Sequence, residues 1–166
     1  MVAAVVLAAG AATRYGAPKQ RLFLQPVLWA LGDAGIAEIV VVEGAYPLEA
    51  TGARLVECER WADGPGASLR CGLAALDADV THALVVLADG PTLDARAVRR
   101  LVDRATDADV VAATYDGATR SHPVVLARET WEAIPDEGAR ALDPRLVDCT
   151  DLDPPGDVDY PPGPAN

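Results

Sequence analysis

The chain has 166 residues, 51% of them apolar, and a formal net charge of −11 at pH 7. That length suits one domain with a real core and is short for two. The apolar residues come in runs too short for a membrane span, no basic region precedes the apolar start as a signal peptide requires, and a net acidic chain lacks the cationic face of a nucleic-acid binder. The charge is unevenly spread: no acid occurs from Met1 to Gly32, a stretch that carries Arg14, Lys19 and Arg21. A local positive pocket on an acidic body suits a small anionic ligand.

In chain order, Val2 to Ala9 is a continuous apolar run of strand length that empties into a loop holding Gly10, Arg14, Gly16 and Lys19. Pro26 is placed to open a helix carrying Val27, Leu28 and Leu31 that stops at Gly35. Ile39 to Val42 reads as the next strand, and Leu55 to Cys58 as an added one. Trp61 to Gly66 is a loop by composition, followed by a segment in which Ser68 and Arg70 begin and decorate a helix. Leu84 to Ala88 is a strand that ends at Asp89; Asp94 is placed to cap a helix carrying Ala97, Val98, Leu101 and Val102. Val110 to Ala113 is a further strand and Val124 to Leu126 an added one. From Asp151 the sequence DLDPPGDVDYPPGPAN predicts an irregular or frayed tail over residues 151–166 after a domain of residues 1–150. Strands alternating with helices, the strands nearly continuous in apolar residues, predict an α/β fold: a Rossmann-like, mainly parallel sheet with helices on both faces. Ligands of such sheets bind at the carboxyl ends of the strands, so the loop after the first strand and Asp89 belong to the site.

The three cysteines, Cys58, Cys71 and Cys149, show no short pair spacing. Neither a disulfide framework nor a zinc cluster is expected from them, and each reads as a small buried apolar residue of a reduced, cytoplasmic protein. Trp61 and Trp131 read as core or rim packing.

The glycine-rich, cationic loop is a phosphate-site candidate, because glycine lets backbone amides approach an anion closely while fixed cations neutralise the rest of its charge. Two common kinds are excluded by spacing. Five residues separate Gly10 from Gly16 and Lys19 comes three later, which is no Walker A loop. Ala12 stands where a dinucleotide fingerprint needs its second glycine.

The segment LAAGAATRYGAPKQRL, Leu7 to Leu22, is similar to the pattern LAAGxSxRMGxxKxLL of the MobA-like nucleotidyltransferases, in particular the molybdenum cofactor cytidylyltransferase branch. Further stretches agree in order: GPGASLRCGL (Gly64 to Leu73), ADGP (Ala88 to Pro91), SHPVVL (Ser121 to Leu126), DEGAR (Asp136 to Arg140) and DVDYP (Asp157 to Pro161). The resemblance thus covers nearly the whole chain. It implies a nucleotide-diphospho-sugar transferase type of sheet and transfer of a nucleoside monophosphate from CTP or GTP to a phosphorylated acceptor such as molybdopterin, with release of pyrophosphate. Arg14, Lys19 and Asp89 are then the catalytic residues. Leu7, Ala8, Ala9, Gly10, Ala11, Arg14, Gly16, Lys19, Gly66 and Ser68 bind the nucleotide; Arg70 and His122 face the acceptor. Asp89, with Asp159 or Asp157, holds Mg2+. A partner in molybdoenzyme maturation is also implied.

The chain departs from the family pattern at Ala12, which replaces a loop serine, at Gly90, which replaces a glutamine, and at Tyr160, Pro162 and Gly163 in the C-terminal motif. Two alternatives therefore stand beside the cytidylyltransferase: a relative that binds nucleotide or cofactor without turnover, and a sugar-phosphate or phospholactate nucleotidyltransferase.

Overall fold

The computed structural model describes residues 1–11 and 20–156. Along the chain come β1 (Val2–Leu7), α1 (Gln20–Asp33), β2 (Ile39–Glu43), β3 (Arg54–Glu57), α2 (Pro65–Ala74), β4 (His82–Leu87), α3 (Ala95–Asp103), β5 (Val110–Thr114), β6 (Ser121–Ala127) and β7 (Arg145–Asp148). Short 3-10 turns occupy Trp61–Asp63, Arg128–Ala133 and Gly138–Ala141. The strands form one seven-stranded sheet in the order β3-β2-β1-β4-β6-β5-β7. All neighbours are parallel except β6, which runs antiparallel to both β4 and β5. The reversal follows from the connection: only residues 115–120 join β5 to β6, with Gly117 at φ 82° in the turn, and so short a link makes a hairpin rather than a crossover.

Both faces of the sheet are covered, which is why its central strands read as unbroken apolar runs. Along β1, Ala4 and Val6 face a core with Leu24, Val27, Leu28 and Leu31 of α1 and Ala97, Val98 and Leu101 of α3. Ala3 and Val5 face the opposite core, closed by Leu69 and Leu73 of α2. Gly72 of α2 lies directly over β1 and β2; a Cβ there would stand 2.8 Å from the Val42 side chain, so glycine is what lets the helix sit this close. Trp61 and Trp131 pack on the edge of the second core, as expected.

Several expectations are corrected. Helix α1 begins at Gln20, six residues before Pro26, which it carries inside. Its buried face runs Gln20, Leu24, Val27, Leu28, Leu31, and the polar first member hid that period. The loop reading of Trp61 to Gly66 is replaced by a 3-10 turn and the start of α2 at Pro65. Cys58 and Cys71 are disulfide-bonded, with Cα atoms 5.9 Å apart. They lie 13 residues apart in sequence, but the 3-10 turn and α2 fold back over the end of β3 and bring them together. Cys149 is free and buried. The tail is irregular as far as Gly156 but tied down: Leu152 is 7% exposed, and Arg100 grips Asp151 with both guanidinium nitrogens, Nη2 at 2.7 Å from Oδ2. Among the described residues no helix is long and apolar enough to cross a membrane.

Candidate active site

From β1 the chain winds outward through β2 to β3, then returns to lay β4 on the other side of β1. The gap between β1 and β4 is therefore the point where strand order reverses, and in doubly wound sheets ligands bind outside the carboxyl ends of the strands at that point. Leu7 and Leu87 are register partners, and the Ala88 N–H donates to the Leu7 carbonyl at 3.1 Å. The two loops that carry the sequence motifs thus leave the sheet side by side, Gly10 on one and Asp89 on the other.

In the first loop the chain stays sheet-like through Ala9. The Ala8 N–H donates to Val42 O at 3.0 Å, the Ala45 N–H donates to Ala9 O at 3.0 Å, and both alanines are buried. Gly10 then turns outward and Ala11 is half-buried. The Gly10 carbonyl accepts from Gln20 Nε2 at 2.7 Å, so the first residue of α1 clamps the start of the loop. Gln20 is 6% exposed, and among the described residues its Oε1 has no hydrogen-bond partner. A Cβ on Gly10 would meet nothing nearer than that Nε2, at 3.9 Å, and Gly10 has no positive φ. Packing among the described residues therefore does not demand glycine here. Arg14, Gly16 and Lys19 lie outside the described residues.

In the second loop Asp89 is half-buried two residues past the end of the β4 ladder. The next residues are bound by the tail: the Thr92 N–H donates to Pro155 O and its hydroxyl to Pro154 O, both at 3.1 Å. The carbonyl of Gly156 lies 3.5 Å from where a Cβ on Gly90 would stand. Asp157 and Asp159 lie outside the described residues, but the chain that leads to them departs from beside Gly90. Among the described residues no group of three or more His, Cys, Asp and Glu is placed to hold a metal ion. A magnesium ion that borrows most of its ligands from phosphate and water needs only one or two carboxylates, and Asp89 is one carboxylate at this edge of the sheet.

The remaining candidates are distributed. Gly66 opens α2 with its N–H donated to Asp136 O at 2.9 Å, and a Cβ there would run into the carbonyls of Pro135 and Asp136. Ser68, two residues on, is buried. Arg70 donates from Nη1 to Ile134 O at 2.7 Å and from Nη2 to Asp136 Oδ1 at 3.0 Å, fastening α2 to the segment before the turn at Gly138–Ala141. Gly66 and Arg70 thus share the same partner loop. His122 stands at the start of β6 with Nδ1 3.3 Å from Val85 O. Its carbonyl accepts from the Tyr115 hydroxyl at 3.1 Å. Burial lowers the His122 pKa below the usual imidazole value, partly offset by the Val85 carbonyl and the nearby Asp89 charge. Burial likewise raises the Tyr115 phenol.

Sequence reasoning missed Gln20 and the strap Pro154–Gly156. For Gln20 a signal existed, its place directly after Lys19 where a helix begins; the strap is a long-range contact with no local sign.

A glycine loop and an acid thus leave adjacent strand ends at the point where the strand order of an α/β sheet reverses. The model of the MobA-like NTP transferase domain matches residues 4–147, and the chain belongs to that family. No curated protein matches it in sequence. Among solved structures it is similar to Rv0371c from Mycobacterium tuberculosis H37Rv at 25% identity and TM-score 0.73, covering 89% of this chain and 88% of that one. A homolog of that protein from Mycobacterium sp. strain JC1 superposes at TM-score 0.80 with 23% identity over 96% and 90% of the two chains. A nucleotidyl transferase from Methanothermobacter gives TM-score 0.69 at 21% identity over 83% and 78%. The M. tuberculosis protein has also been solved as a manganese complex.

Proposed function

We propose that the chain transfers a nucleoside monophosphate from CTP or GTP to a phosphorylated small-molecule acceptor, molybdopterin being the example that the sequence resemblance supplies. An acceptor phosphate oxygen bonds to the α-phosphorus, the bond from that phosphorus to the oxygen bridging to the β-phosphate breaks, and pyrophosphate leaves with the electron pair. The observation that carries this reading is the side-by-side exit of the Gly10 and Asp89 loops at the reversal between β1 and β4, in a chain of this family.

Each residue has a task. The backbone at Gly10 and Ala11, braced by Gln20, lies against the triphosphate, and Arg14 and Lys19 neutralise the departing pyrophosphate. Asp89, with Asp159 or Asp157, would hold the divalent ion, which supplies charge neutralisation and order at the triphosphate when bound. The manganese complex of the mycobacterial structure supports a divalent ion of this kind. His122 contacts the acceptor, while Gly66, Ser68 and Arg70 shape the wall formed by α2. A reaction fed by nucleoside triphosphate belongs in the cytoplasm.

The test is pyrophosphate release from CTP and GTP with Mg2+, with and without acceptor, by the wild type, Lys19→Ala and Asp89→Asn. Loss of one transition-state charge contact is expected to slow release about a hundredfold to a thousandfold. Equal background rates in all three proteins, with nucleotide still bound, would establish a binding protein without turnover.

A further inference from the structure

A cavity of about 410 Å³ opens beside Gly90 at the same edge of the sheet. Val86 and Leu87 of β4 form its floor, Leu93 one side, and the strap Pro154–Gly156 its roof. Its volume is that of a small-molecule site. The side chains are aliphatic or proline except Ser121 and His122 at the start of β6. Arg120 belongs to the adjoining groove, and its Nη1 is occupied by the carbonyls of Arg140 and Leu142, at 3.0 and 2.6 Å. Among the described residues, therefore, no cation lines the cavity itself.

That lining decides what enters. A phosphate has no counter-charge inside and stays at the mouth, next to Asp89 and the transferring nucleotide. A heterocycle with many donors and acceptors, such as a pterin, would bury polar edges against Leu87, Leu93 and proline without partners, at a cost for each. An apolar body gains on the same surface. One polar group is provided for: the Val85 carbonyl only accepts, so His122 Nδ1 carries the proton toward it and Nε2 of the neutral ring is left to accept.

We propose, resting on the nucleotidyl-transfer reading above, that the acceptor is a small phosphate monoester with an apolar body held between β4, β6 and the strap, and that it carries at most one hydroxyl or N–H for His122. Transfer then joins its phosphate to the nucleoside monophosphate as a pyrophosphate diester.

The experiment uses the full chain with CTP or GTP and Mg2+, and measures binding and pyrophosphate release for n-hexyl phosphate, glycerol 3-phosphate and molybdopterin. The expected result is hexyl phosphate bound at least about tenfold more tightly than glycerol 3-phosphate, in line with burial of several methylenes. The preference should be lost in Ser121→Phe, which fills the cavity, and reduced in Leu87→Thr, which keeps a strand-forming shape; nucleotide binding by each variant reports that it is folded. Equal binding of the two phosphates, or turnover with glycerol 3-phosphate or molybdopterin but not with hexyl phosphate, overturns the proposal and leaves nucleotidyl transfer standing. Selective binding of hexyl phosphate with no pyrophosphate release from any acceptor overturns nucleotidyl transfer and leaves the selectivity of the cavity standing.

Discussion

Gly10 and Gly66 both fit the nucleotide motif, yet their surroundings assign them different work. Among the described residues nothing crowds a Cβ at Gly10, so Gly10→Ala is expected to leave stability within about 0.5 kcal/mol of wild type. It should weaken triphosphate binding by about tenfold or more, the worth of one hydrogen bond to a charged group. Thermal denaturation and nucleotide titration check the two halves. The difference was only half legible in the sequence. That a glycine follows a buried strand could be read from Val2 to Gly10 alone. That Gly66 and Arg70 are engaged by Ile134 and Asp136 could not, because those partners lie more than sixty residues away and leave no local trace.

At the scale of elements, legibility followed burial. Strands β1, β2, β4 and β5 are buried on both faces and announced themselves as apolar runs. Strand β7 is an edge of four residues, mostly exposed, and its RLVD carries too little pattern to be seen. The start of α1 was masked by Gln20, and the Cys58–Cys71 bridge depends on α2 folding back over β3. Helix α2 is located by contacts rather than by its own amphipathicity. Gly66→Ala drives a methyl into two backbone carbonyls, which cannot swing aside as side chains do. Overpacking of this sort is expected to destabilise the fold by about 1–3 kcal/mol, read as a lower urea midpoint.

Over the whole molecule, acid groups fix how the tail is held. The Arg100 guanidinium holds Asp151 down to about 2, and the N–H and hydroxyl donors of Thr119, with the Ala118 N–H, lower Asp116 as well. The folded pKa values lie below the unfolded ones, so the unfolded state binds more protons and the stabilisation is fully present above the usual carboxylate range. It is lost as pH falls from about 4 toward 2. Thermal midpoints are expected to drop across that window, less so in Asp151→Asn, and an unchanged pH profile in that variant would show that the pair does not anchor the tail. The anchor matters because the same tail roofs the cavity beside Gly90 and carries Asp157 and Asp159 onward from it.

Transfer of an α-phosphate separates a nucleotidyltransferase from a relative that only binds nucleotide. With α-labelled CTP or GTP, Mg2+ and a phosphomonoester acceptor, the label is expected in a new acceptor–nucleotide pyrophosphate diester, one per pyrophosphate released, and Asp89→Asn should cut its rate about a hundredfold or more. Label that remains in triphosphate, or that appears only as free nucleoside monophosphate at a rate indifferent to Asp89, would contradict nucleotidyl transfer.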